Sequence, residues 1–281
     1  MGGVYGFVVH SIIFTVGKVR MNNLLLYRQD VFKNYKSKSQ IARVLSESWF
    51  SSQMYCPSCL NSRINTYPNN EKAKDFYCSN CNNDYQLKSS SKQFGREILD
   101  GEFNTMMKFI RSDKLPNFFL MNYSDQDWYI KNLFVIPKFF FTPAIIKKRK
   151  PLSDMARRRG WVGCNILLGN IPDGGRISIV KNEKIVDKEV VNQKWKNIFF
   201  LSMRKTDQRG WISDVLKCIE DLSKEKFSIK DIYESKSYFQ KRHPENKHIE
   251  AKIRQQLQIL RDNNIIKFNS RGNYTLTGKT C

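Results

Sequence analysis

Apolar positions give the first outline of this chain. In residues 37–50 they recur as Ile41, Val44, Leu45 and Trp49 on one helical face, with Ser39 placed to cap that helix. Residues 97–111 carry Met106, Met107, Phe109 and Ile110 and predict a second helix whose apolar side chains pack into a core. Aromatic and β-branched residues then crowd 117–122, 127–137 and 176–180, which predicts strands linked by Pro-bounded segments. A mixed central sheet with helical cover is an α/β core.

The rhythm changes after residue 205. Residues 211–222 predict a helix with Ile212, Val215, Leu216, Ile219 and Leu222 inward. Ser228 caps a second helix running through residue 238, with Ile229, Ile232 and Tyr233 apolar. Residues 248–263 form a third that buries Ile249, Ile253, Leu257 and Leu260. Two short strands, 265–268 and 274–277, turn at Ser270-Arg271-Gly272-Asn273. Three helices and a basic hairpin predict a winged helix-turn-helix. The expected organisation is an extension at 1–20, an α/β domain at 21–205 and a winged-helix domain at 206–281. Residues 4–16 are apolar, but no basic residue precedes them and the run is too short to span a bilayer. They read as an extension upstream of an alternative start at Met21, and no membrane partner is expected.

Cysteine spacing changes the picture. Cys56-Pro57-Ser58-Cys59 and Cys78-Ser79-Asn80-Cys81, eighteen residues apart, fit a structural zinc site of four thiolates. Of the seven cysteines, Cys164, Cys218 and Cys281 follow no pattern, which suits a reducing bacterial cytoplasm better than a disulfide framework.

A second pattern is interleaved with the first. Residues 75–77 and 84–88 read as short strands joined by the second cysteine pair. Alternation puts Asp84, Gln86 and Lys88 on one face, with Tyr85 and Leu87 on the other. An acidic residue on one strand, then an oxygen ligand and a lysine two apart on the next, is the PD-(D/E)xK nuclease arrangement. Magnesium needs hard oxygen ligands, which Asp75, Gln86 and the Leu87 carbonyl can supply. Lys88 would orient the attacking water or stabilise charge on the phosphorane. Gln86 stands where Glu is commoner, and a neutral ligand weakens metal binding; Asp84 is the substitute. An HNH-type nuclease is excluded, because apart from His10 the histidines are His243 and His248, far from the cysteines in the chain.

Charge supports a polyanion partner: 48 Lys and Arg against 26 Asp and Glu leave a net charge of +22. The most basic stretch is Lys147-Lys148-Arg149-Lys150 followed by Arg157-Arg158-Arg159-Gly160-Trp161, where arginines can clamp phosphates while the ring contacts a base. On the third helix of the winged domain, His248, Lys252, Gln255 and Gln256 are expected to face a major groove, with Arg271 on the wing reaching the backbone.

Residues 75–78 through 87–89, with Cys56-Pro57 upstream, resemble the catalytic core of DpnI-type restriction endonucleases. So do Asp100-Gly101, Thr105-Met106-Met107-Lys108, Pro116-Asn117-Phe118-Phe119 and Arg149-Lys150-Pro151-Leu152. The resemblance continues through Ala156-Arg157-Arg158, Gly160-Trp161, Gly163-Cys164-Asn165-Ile166, Arg209-Gly210-Trp211 and residues 252–262, covering roughly residue 21 to the end. It implies a nuclease domain paired with a winged helix that cuts duplex DNA only where adenine in GATC carries an N6-methyl group; a monomer is expected. The alternatives are a reader of methylated DNA that has lost cleavage and, more distantly, an RNA-binding zinc-ribbon protein.

Overall fold

The structure is a computed structural model that describes residues 23–68 and 73–278, so the expectations for 1–20 and Met21 lie outside the described residues. Helices α1 (Gln29–Asn34) and α2 (Lys38–Gln53) precede strands β1 (Asn65–Thr66), β2 (Phe76–Tyr77), β3 (Asp84–Ser90) and β4 (Ile98–Glu102). Helix α3 (Phe103–Arg111) leads into β5 (Asn117–Ser124), β6 (Tyr129–Ile136), β7 (Ile146–Lys148) and β8 (Gly163–Ile166). Strands β9 (Ile177–Lys181) and β10 (Lys184–Ile185) and helix α4 (Lys188–Ile198) follow. The C-terminal part comprises α5 (Thr206–Asp221), β11 (Lys226–Ser228), α6 (Ile229–Tyr233), α7 (Lys236–Arg242), α8 (Ile249–Asp262), β12 (Ile266–Ser270) and β13 (Asn273–Leu276).

The main sheet runs β1-β2-β3-β5-β6-β9-β10, with β3 and β5 parallel and its other pairs antiparallel. Every residue of β5 is buried, as an apolar run covered on both faces requires. Helix α2 covers one face: the Phe50 ring lies 4.5 Å from that of Phe76 and 4.6 Å from that of Phe119. The parallel β3–β5 pair needs a crossover, which β4 and α3 supply. A second sheet, β4-β8-β7, carries the basic stretch as its β7–β8 loop.

Three local expectations are corrected. The N-cap position of α2 is Ser37, whose extended backbone precedes Lys38 and whose side chain makes no capping hydrogen bond, so Ser39 lies inside the first turn. Residues 97–111 are not one helix: β4 pairs with β8, and the Glu102 carboxylate then caps α3 by accepting from Asn104 and Thr105 N–H. The partner strand is remote in sequence, so helical spacing could not reveal it. The helix expected over 228–238 is two. Ser228 and Asp231 form a capping box on α6, and α7 starts afresh so that buried Phe239 stacks on Trp211 at 6.0 Å.

The winged domain docks on the α/β core through α5, whose residues 209–216 are all buried. A helix buried all round is sandwiched between layers. The Arg209 guanidinium donates to Asp113 after α3 at 2.9 Å, and the Glu220 carboxylate accepts from Asp173 and Gly174 N–H at 2.7 and 3.2 Å.

Candidate active site and metal centre

The two cysteine pairs are built alike. In each, the first cysteine donates its N–H five residues on (Cys56 to Asn61 O, Cys78 to Asn83 O) and its carbonyl accepts one from the residue after the second cysteine. That residue, Leu60 or Asn82, adopts a left-handed backbone with φ of 60° or 55°. The four sulfurs lie within 4.8 Å of one another, with Cys56–Cys81 at 3.5 Å and Cys59–Cys78 at 3.6 Å. A tetrahedral zinc with Zn–S bonds of about 2.3 Å sets its sulfurs about 3.8 Å apart, so the cluster can hold zinc. Polar hydrogens face the sulfurs as an outer shell: Asn61 Nδ2 donates to Cys78, Asn83 Nδ2 to Cys81, and the buried Tyr85 hydroxyl lies 3.0 Å from Cys56 Sγ. From α4, the Asn192 amide donates to the carbonyls of Pro57 and Ser58, clamping the first pair to the core.

The second pair is the turn between β2 and β3, and it carries the candidate nuclease residues with it. β2 pairs with β3 only at Phe76–Tyr85 and Tyr77–Asp84. Beyond that point the β3 edge is taken by a side chain: Asp75 Oδ2 accepts the Leu87 N–H at 2.8 Å. Within a strand the N–H and C=O of one residue point to the same edge, so the Leu87 carbonyl faces Asp75 as well. Burial pushes the Asp75 carboxyl above the usual range, against the pull of the Leu87 N–H and the Lys88 charge. Gln86 is half-buried on β3, and among the described residues its side-chain amide has no hydrogen-bond partner. Asp84, the substitute ligand, is committed elsewhere: it pairs with Lys74 and accepts from the Tyr67 hydroxyl.

Two further carboxylates bear on this edge, and the sequence pattern assigns neither a role there, although Asp100-Gly101 is among the residues that resemble the family. Glu47 projects from α2. Burial raises its carboxyl above the ordinary range against Arg43, and the nearby charge of Asp75 adds to the rise. Asp100 on β4 pairs with Lys88, Nζ to Oδ1 2.9 Å. Reading 97–111 as a helix hides Asp100, and no local signal singles out Glu47.

In the β7–β8 loop, Arg157, Arg158 and Arg159 are exposed and Trp161 is half-buried. The Arg158 guanidinium sits 4.9 Å from the centre of the Trp161 ring. That ring closes on Gly163, where a Cβ would come within 2.8 Å of it. His248, at the N-cap of α8, and Gln255 are exposed and Lys252 is half-buried; Arg271 is exposed on the wing. Gln256 is not outward. It is 1% exposed and its amide turns back to the Lys252 carbonyl at 3.2 Å, because it shares the inward face with Ile253, Leu257 and Leu260.

A mixed α/β core holding a four-cysteine cluster, followed by a helix-turn-helix with a small sheet, defines a two-part class of protein with a DNA-binding module. The comparisons are specific: residues 23–204 match DpnI, the Dam-replacing family, and residues 207–276 match the Dam-replacing HTH domain. The chain belongs to the DpnI family. Its helix-turn-helix makes DNA the partner class. Among the described residues no helix is long and apolar enough to cross a membrane.

Proposed function

We propose that this protein is a magnesium-dependent endonuclease that cuts duplex DNA at GATC sites carrying N6-methyladenine, with zinc in the four-cysteine cluster. The observation that carries the reading is the Asp75–Leu87 hydrogen bond at 2.8 Å, which sets a carboxylate beside the backbone and side chains of Gln86-Leu87-Lys88. Asp75, Gln86 and the Leu87 carbonyl would hold the magnesium ion, with Glu47 adding a second charge that offsets neutral Gln86. A bound magnesium ion would supply Lewis-acid polarisation of the scissile phosphate. Lys88 would hold the attacking water in place and neutralise charge growing on the phosphorane. Arg157, Arg158 and Arg159 would grip the backbone, Trp161 would pack on the methylated base edge, and Lys252 and Gln255 would read the major groove.

Incubating the purified full chain with methylated and unmethylated plasmid in magnesium tests the reading. Cleavage of the methylated plasmid alone is the expected result. Binding of methylated duplex with no cleavage under any divalent metal would promote the second reading, a non-cutting reader of methylated DNA, which neutral Gln86 favours.

A further inference from the structure

Lys88 leaves β3 with its ammonium 2.9 Å from Asp100 Oδ1 and 5.8 Å from the centre of the Phe118 ring. The Asp100 side chain is only 8% exposed. Its Oδ1 also accepts the Gly101 N–H at 2.7 Å, whereas Oδ2 is buried with no hydrogen-bond partner. Burying a carboxylate this incompletely satisfied is costly unless a cation is held against it. Among the described residues Lys88 is the cation paired with it.

Asp100 does not come from the strand that bears Lys88, nor from its sheet. It sits on β4, in register with Cys164 of β8, and Cys164 Sγ lies 3.5 Å from the Gly101 carbonyl. Strand β8 starts at Gly163, against which the Trp161 ring closes. The sheet that carries the arginine loop therefore also places the carboxylate that holds the lysine.

We propose that Asp100 is a positioning residue for Lys88: it fixes the ammonium beside the Asp75 edge and ties that placement to the sheet bearing the β7–β8 loop. The proposal deepens the nuclease reading and rests on it. Asp100→Asn is nearly isosteric and keeps an acceptor for Gly101, but removes the charge that holds Lys88. In the full chain, the variant should cleave methylated GATC duplex about 100-fold more slowly in single-turnover reactions, the scale of loss when a reacting group is misplaced by about 1 Å. Affinity for the same duplex, measured without divalent metal, should stay within about twofold, since Asp100 is argued to touch no DNA. Labelling of Lys88 by an amine-reactive reagent, read by mass spectrometry without DNA, should rise severalfold in the variant. An unchanged cleavage rate, a matching loss of affinity, or unchanged Lys88 labelling overturns the proposal. A wild type that never cuts refutes the nuclease reading instead, and the labelling arm alone then decides whether Asp100 holds Lys88.

Discussion

Asp75 reaches its place through one short hydrogen bond, and Lys88 through one ion pair, so the site is sensitive to single atoms. Asp75→Ala is expected to abolish cleavage of methylated plasmid while duplex affinity, measured by titration, persists. Gln86→Glu should keep or raise the rate at limiting magnesium, because it restores a charged ligand. Full cleavage by Asp75→Ala would reject the site. Lys88→Ala has a second consequence: it leaves Asp100 buried without its cation, at a cost of about 3 kcal/mol, the low end for a broken buried pair. Adding Asp100→Asn should recover most of that stability in a denaturant titration without restoring cleavage. If Lys88→Ala alone unfolds at the wild-type midpoint, the pair contributes no net stability.

At the scale of elements, the cysteine turn does two jobs. It joins β2 to β3, and Tyr85, one residue from Gln86, carries the hydroxyl facing Cys56. Metal binding in the cluster would then be folding free energy for the candidate site edge. Cys78→Ser is expected to lower zinc content and the thermal midpoint together, and to cost cleavage even though no candidate nuclease residue is altered. Elemental analysis, melting and plasmid cleavage check this; finding no stoichiometric zinc in the wild type would reject it. Helix α5 is the second decisive element. Asp113→Ala should leave buried Arg209 with only the Thr206 hydroxyl. The expected cost is about 2 kcal/mol, below the fully buried range because Asp113 is half-exposed. A lowered thermal midpoint of the full chain is the readout, and an unchanged one would show that the α5 contact holds without this pair.

At the scale of the whole molecule, the proposed function requires that one methyl group license cutting. Burying a methyl contributes about 0.8 kcal/mol, and two on a palindromic duplex about 1.6, or roughly fifteen-fold discrimination. Reading the site twice, by the β7–β8 loop and by α8 as proposed, would multiply that factor. Trp161→Ala in the full chain should therefore cut the preference for methylated over unmethylated duplex by up to about fifteenfold, leaving binding of the unmethylated duplex little changed. Competition titration checks it, and an unchanged preference would make Trp161 purely structural. Full-length protein is required here, because residues 209–216 of α5 are buried all round and a cut at 205 would expose one of their faces.

Much of this molecule is legible in its amino-acid sequence. Period-2 and period-3.6 patterns locate the buried β5 run, β6, α2, α5 and α8, because burial of one face or both leaves its mark residue by residue. The cysteine spacing locates the cluster, since two pairs of ligands on tight turns need few residues each. Chain order also places Asp75 and Lys88 on either side of one turn. Tertiary structure alone decides the rest. β4 pairs with β8, more than sixty residues away, so residues 98–102 become a strand and Asp100 meets Lys88. Packing of α2 on the sheet brings the Glu47 charge within electrostatic reach of Asp75, and Gln256 turns inward because the core needs its face of α8. Local patterns record which side of an element is buried; which remote charge lies against that side depends on how the elements are stacked.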